Sequence, residues 1–196
     1  GFSSRAIGYG KAAMVFHMLR KMLGDEKFYA ALKAFLAEKQ FHAASWDDLA
    51  VVCGKHGGKE LSGFFRQWID EKGLPELRVE NAAIRRSGNA FEVSFDAVQK
   101  GKVYTLDVPI TVPFVRGGEK RQMLKLDSER KNISILVDDE PSGFVVDGDY
   151  DVARKLTEQE TPPVIARLVC DEKPLIVRPV TNGGLYQTVI DHFKGK

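Results

Sequence analysis

The sequence predicts an α+β chain of several parts. A helical bundle spans about 1–75, an antiparallel β-sandwich about 76–147, and a short, partial α/β tail 148–196. Three observations predict it. Apolar residues recur at helical spacing as far as Ile69. From Phe91 to Val137 they alternate with polar residues in short runs about ten residues apart. Beyond Asp147 the chain shows a proline-marked helix start, a three-residue apolar strand and one more helix face.

Ala12 through Leu23 is apolar on nearly all sides, as a helix buried in a larger body would be. Gly24-Asp25 breaks it, and Phe28, Leu32, Phe35 and Leu36 form the face of a second helix. Ser45-Trp46-Asp47-Asp48 is an N-cap with acids in the first turn, so a third helix starts there and should end at Gly54 and Gly57-Gly58. Leu61, Phe64, Phe65, Trp68 and Ile69 give a fourth face, stopped by Gly73-Leu74-Pro75. In the sandwich, Phe91, Val93 and Phe95 alternate. Tyr104 through Phe114 then alternate over eleven positions, Gly117-Gly118 turns a hairpin, and Leu124, Leu126, Ile133, Ile135 and Val137 follow. The tail should hold a helix from Thr161-Pro162-Pro163 to about Cys170, a strand at Leu175-Ile176-Val177, and a helix face of Leu185, Val189, Ile190 and Phe193. A lone strand and helix cannot cover each other fully, so the tail reads as an α/β unit that is not completed.

Charge narrows the function classes. The 29 Lys+Arg against 27 Asp+Glu leave no net attraction to nucleic acid or anionic membrane, and no apolar run approaches membrane-spanning length. Arg85-Arg86 and Lys120-Arg121 read as turns and exposed strand faces. Cys53 and Cys170 form no C-x-x-C and read as small buried side chains. A start at Gly1 within a helical pattern points to a fragment of a longer polypeptide.

Motifs for chemistry are few. None of His17, His42, His56 and His192 has a histidine four residues on, so no H-E-x-x-H occurs. Cys53 and His56 offer too few ligands for a metal. Asp147, Asp149 and Asp151, with Glu158 at the twelfth place, imitate a calcium loop. However, Val152 stands where the loop needs glycine, and the plainer reading is an acidic turn that caps the next helix. No nucleophile elbow or phosphate cradle is present; Gly183-Gly184 before a helix is a weak anion site. What remains is Tyr9, set between Gly8 and Gly10 where a buried helix begins. Glycines there admit close approach, while a tyrosine in such a place is more often a half-buried packing residue.

Tyr9-Gly10-Lys11-Ala12-Ala13-Met14-Val15-Phe16-His17-Met18-Leu19-Arg20 resembles the Y-x-K-G/A helix of gluzincin aminopeptidases of the membrane alanyl and puromycin-sensitive type. Gly24 to Phe28 and Trp46 to Leu49 continue the likeness, and Phe64-Phe65-Arg66-Gln67-Trp68-Ile69 with Gly73-Leu74-Pro75 is similar to the family's F-F-x-Q-W…G-x-P segment. The resemblance is specific over 5–80, weaker through Val146-Asp147-Gly148-Asp149-Tyr150-Asp151, and uninformative beyond about 152. It implies that 1–75 is the C-terminal lobe of a thermolysin-like catalytic domain and that the parent protein removes N-terminal residues from peptides. It also implies zinc in the parent enzyme, where a glutamate activates the metal-bound water. A tyrosine then donates a hydrogen bond to the oxyanion, and Tyr9 matches that tyrosine. Position 12 is alanine where glycine is common. The chain has no zinc ligands, no general-base motif and no G-x-M-E-N for the substrate amine, so alone it should be inactive, with no cofactor of its own.

The apolar Ala12–Leu23 face should pack on the missing catalytic half or on another copy of the chain. Three other readings stay open: a non-catalytic scaffold homologue, a gluzincin of different substrate, and a free-standing interaction module. An intact upstream H-E-x-x-H separates enzyme from scaffold; an apolar patch confined to the sandwich would favour the module.

Overall fold

The structure is a computed structural model that describes residues 2–157 and 159–161, together with 184, 187, 188 and 191. Four α-helices come first: α1 (Phe2–Leu23), α2 (Asp25–Lys39), α3 (Trp46–Gly57) and α4 (Ser62–Phe65), the last running into a π-helix (Arg66–Asp70). Six strands follow: β1 (Glu76–Ser87), β2 (Ala90–Lys100), β3 (Leu106–Pro113), β4 (Glu119–Leu126), β5 (Arg130–Val137) and β6 (Val145–Val146). They form two antiparallel sheets, ordered β1-β2-β5 and β4-β3-β6. The chain divides into compact units at 1–155 and 156–196. In the second, the described residues include a turn in which Thr157 and Glu160 bond reciprocally. The expected helices and strand at 162–183 and around 185–193, with Cys170 and His192, lie outside the described residues.

Local chemistry accounts for the helix limits. Gly24, at φ 78°, separates α1 from α2 in a conformation that other residues enter at a cost. Ser45 caps α3: its hydroxyl accepts from the Asp48 amide while the Asp48 carboxylate accepts from the Ser45 amide. Lys39 and Ser45 together hold the Asp48 carboxyl down at about 2. Gly54 does not end α3, as expected from its type, but lies inside it; the helix stops at Gly57 and Gly58, the latter left-handed. A Cβ added at Gly57 would press on the end of the buried Leu23 side chain, which would have to shift.

Leu19, Leu23, Phe28, Ala31, Leu49, Cys53, Leu61 and Phe65 bury one core among the helices. Val15 and Trp68 join instead the larger core made by the inner faces of both sheets, including Val93, Phe95, Val108, Ile110, Leu126 and Ile135. The alternation from Tyr104 to Val112 is the buried register of β3 and its approach. β1 was not legible as a strand. Of its twelve residues only Leu77 is buried, so no period-2 pattern is written in it, and a bulge at Asn81 (φ 53°) interrupts its pairing.

A row of aromatic rings links the two cores. Phe16 packs on Trp46, Trp46 on Phe65, Phe65 on Phe64, and Phe64 on Trp68. Trp68 then lies 5.4 Å from the Tyr104 ring at the entry to β3. Beside it the Gln67 amide bonds both ways with the Thr105 backbone, at 2.7 and 3.0 Å.

The acidic turn after β6 folds inward. Asp147, at φ 51°, is wholly buried. Its carboxylate accepts from the Asp151 and Val152 amides and from the buried Arg154 guanidinium at 2.7 Å. Burial pushes the Asp147 carboxyl up, against the pull of Arg154 and the two amides. Val152, Ala153 and Arg154 continue without helical structure, so Asp147 organises a buried strap and not the N-terminus of an immediate helix; Glu158 lies outside the described residues. The strap is held to α1 where Asp151 accepts from His17 at 2.7 Å and pairs with Lys21 at 3.0 Å, and to the start of β1 through Lys155.

Two outcomes follow from the strap. Asp147→Asn removes the charge opposite a buried guanidinium and should lower unfolding free energy by about 3–5 kcal/mol in a denaturant titration. Burial raises the Asp151 carboxyl, but the bonds from His17 and Lys21 outweigh it and hold the group below its ordinary value. A depressed folded value means that this contribution is present above the ordinary carboxylate range and is lost as pH falls through it. In acid titrations, Asp151→Asn should therefore flatten the fall in stability below about pH 4 relative to the unsubstituted chain.

Candidate functional site

Tyr9 lies within α1, which begins at Phe2, and so stands about two turns inside the helix and not at its start. It is 77% exposed. A Cβ added at Gly8 or Gly10 would meet nothing within 4 Å. Glycine in a helix interior costs roughly 1 kcal/mol against alanine. The described contacts of this chain supply no steric reason to spend it at either place. The phenol is an open O–H donor on an uncovered helix face, able to hydrogen-bond to an oxygen brought against it.

Two residues on, and so across the helix from Tyr9, Lys11 turns inward. Its ammonium donates to the Glu71 carbonyl at 2.6 Å, just beyond the π-helix. Burial pushes the Lys11 ammonium below its ordinary value, and the Glu71 charge offsets part of that. The Glu71 carboxylate itself pairs with Lys102. Farther along α1, Val15, Leu19 and Leu23 are buried and Met14, Phe16, Met18 and Met22 are partly covered. The face expected to meet a partner is thus largely taken up by the chain's own cores; Tyr9 and Ala13 remain exposed.

The other sequence candidates do not assemble. Among the described residues no group of three or more His, Cys, Asp or Glu could hold a metal ion. Cys53 is wholly buried, with its thiol pushed up by burial, while His56 is exposed. His17 is engaged by Asp151. Asp147 faces Arg154, leaving no open acidic loop. Gly183 lies outside the described residues. A groove of about 700 Å³ runs between α3 and the α4–π-helix segment, floored by Trp46, Leu61 and Phe65. Another of about 540 Å³ lies among Met18, Phe64, Trp68, Ile110 and Met123; Tyr9 lines neither. Sequence reasoning attached no role to Lys11, because its partner is a backbone carbonyl sixty positions away that no motif records. No helix in the described residues is long and apolar enough to cross a membrane.

Parts of the chain are similar to known proteins. Aminopeptidase N of Lactococcus lactis subsp. lactis is 36% identical over 75 residues, which is 38% of this chain and 9% of that protein. Aminopeptidase N of Haemophilus influenzae is 26% identical over 148 residues, 72% of this chain and 17% of that protein. The crystal structure of Legionella pneumophila aminopeptidase A in complex with aspartic acid superposes with a TM-score of 0.58 at 21% identity. It covers 76% of this chain and 18% of that one, and shows a shared fold. The chain therefore spans less than a fifth of the length of these relatives. Residues 2–68, the segment that carries Tyr9 and Lys11, match the peptidase family M1 domain.

Proposed function

We propose that the chain is the C-terminal part of a zinc-dependent aminopeptidase of the membrane alanyl and puromycin-sensitive type, which removes N-terminal residues from peptides. In this reading 1–75 is the helical lobe of the catalytic domain, 76–147 a sandwich that braces it, and 148–196 part of a further α/β segment. Tyr9 is the residue that donates to the oxyanion formed on the scissile carbonyl. The observation that carries the reading is the placement of Tyr9: 77% exposed between two glycines that nothing in the described chain crowds. A phenol so placed can face a substrate held by another wall, and the glycines let that wall or the peptide backbone come close.

The residues present do not fit zinc. The sequence has no H-E-x-x-H, and the described residues hold no ligand set. The metal and the nucleophile it activates belong, in this reading, to the rest of the polypeptide, and the 196-residue chain alone is inactive. The chain's own contribution is the donor: a phenol hydroxyl on an exposed helix face, able to hydrogen-bond to an oxygen on which negative charge develops.

The test is hydrolysis of alanyl and leucyl amides by a polypeptide that joins this chain to its H-E-x-x-H-bearing part. Tyr9→Phe removes only the hydroxyl. It should lower kcat on the order of 10²–10³-fold with KM little changed. Equal rates for the two proteins would remove Tyr9 from the mechanism.

A further inference from the structure

We propose that Lys11 is a positioning residue for Tyr9: by tying α1 to the Glu71 carbonyl, it fixes the rotation of this part of the helix and so the direction in which the phenol points. The inference rests on the reading of Tyr9 above. Three observations carry it. Positions 8 and 10 are glycines whose added Cβ would touch nothing, so neither position is packed against the described chain. The first buried residue of α1 among the described side chains is Val15, more than a turn beyond Tyr9. Between them, Lys11 makes the one side-chain hydrogen bond from positions 8–14 to another element among the described residues, 2.6 Å to a carbonyl.

The carbonyl is itself held. Glu71 follows the π-helix directly, and the π-helix is docked on the strands by the paired Gln67–Thr105 bonds and the Trp68–Tyr104 contact. The Glu71 carboxylate pairs with Lys102, and its charge also attracts the Lys11 ammonium toward the same residue. Lys11 and Tyr9 sit about 200° apart around the helix. A rotation that releases one therefore swings the other sideways by a comparable arc. An oxyanion donor displaced by about 1 Å loses much of its effect.

The test has two parts. In the 196-residue chain, hydrogen exchange of the amides of residues 8–12 should become at least about tenfold faster in Lys11→Met, with Val15–Leu23 unchanged, and return toward the original rate in Lys11→Arg. Unchanged exchange at 8–12 overturns the proposal whatever Tyr9 does. In the polypeptide joined to its H-E-x-x-H-bearing part, Lys11→Met should lower kcat about tenfold with KM unaltered, and Lys11→Arg should recover most of it. In a Tyr9→Phe background, Lys11→Met should cost nothing more, because its effect passes through the phenol. Additive losses would assign Lys11 a general structural role and overturn the proposal. A loss in Tyr9→Phe with an undiminished rate in Lys11→Met counts against Lys11 alone. Equal rates for wild type and Tyr9→Phe count against the reading of Tyr9 and take the positioning role with it.

Discussion

The junction after Phe65 governs the arrangement of the rest. Here the α-helix widens to a π-helix for five residues, and that extra residue per turn changes which side chains face the strands. Trp68 is brought onto the Tyr104 ring and Gln67 onto both backbone groups of Thr105. A primary amide that gives and takes at one residue fixes distance and angle together, which an apolar contact alone does not. The ring contact and the pair of hydrogen bonds add a fixed geometry to the apolar packing of Val15 and Trp68 in the sheet core. The Glu71 carbonyl is then in place for Lys11.

The second tie is the strap from Asp147 to Lys155. Its centre is a buried carboxylate that satisfies two backbone amides and one guanidinium. Such a group has little freedom to move, since each partner left alone would be a buried unpaired donor. The strap then touches α1 through Asp151 and β1 through Lys155. Polar ties thus join helices and strands both before the sheets and after them, alongside the packing of Val15 and Trp68 in the sheet core. The solvent-facing Tyr9 belongs to a helix that both ties engage, at Lys11 and at His17 with Lys21.

Much of this was legible in particular residues. Ser45 with Asp47 and Asp48 announced α3, because an N-cap followed by acids in the first turn is a local pattern. The run from Tyr104 to Val112 announced β3, because one face of it is buried and the other is not. The Y-x-K helix drew notice to Tyr9. Other features were hidden for physical reasons. β1 has almost no buried face, so its strand character comes from pairing with β2 and not from its own pattern. Gly54 reads as a helix end but lies inside α3, where its carbonyl accepts from the Gly58 amide at the true end of the helix. The three alternating aspartates look like open cation ligands, and nothing local says that Arg154 and His17 will claim two of them.

What the amino-acid order determined by itself was therefore the class of fold, most caps and breaks of the helices and the alternation of the inner strands. These depend on interactions within a few positions, or on a periodicity that burial imposes along one element. The tertiary structure alone decided that Asp147 is buried against Arg154, that Asp151 clasps α1, and that Lys11 reaches the carbonyl of Glu71. Each of these joins residues far apart in the chain or depends on which way a backbone group faces. That information exists only once the helices and sheets have been packed against one another.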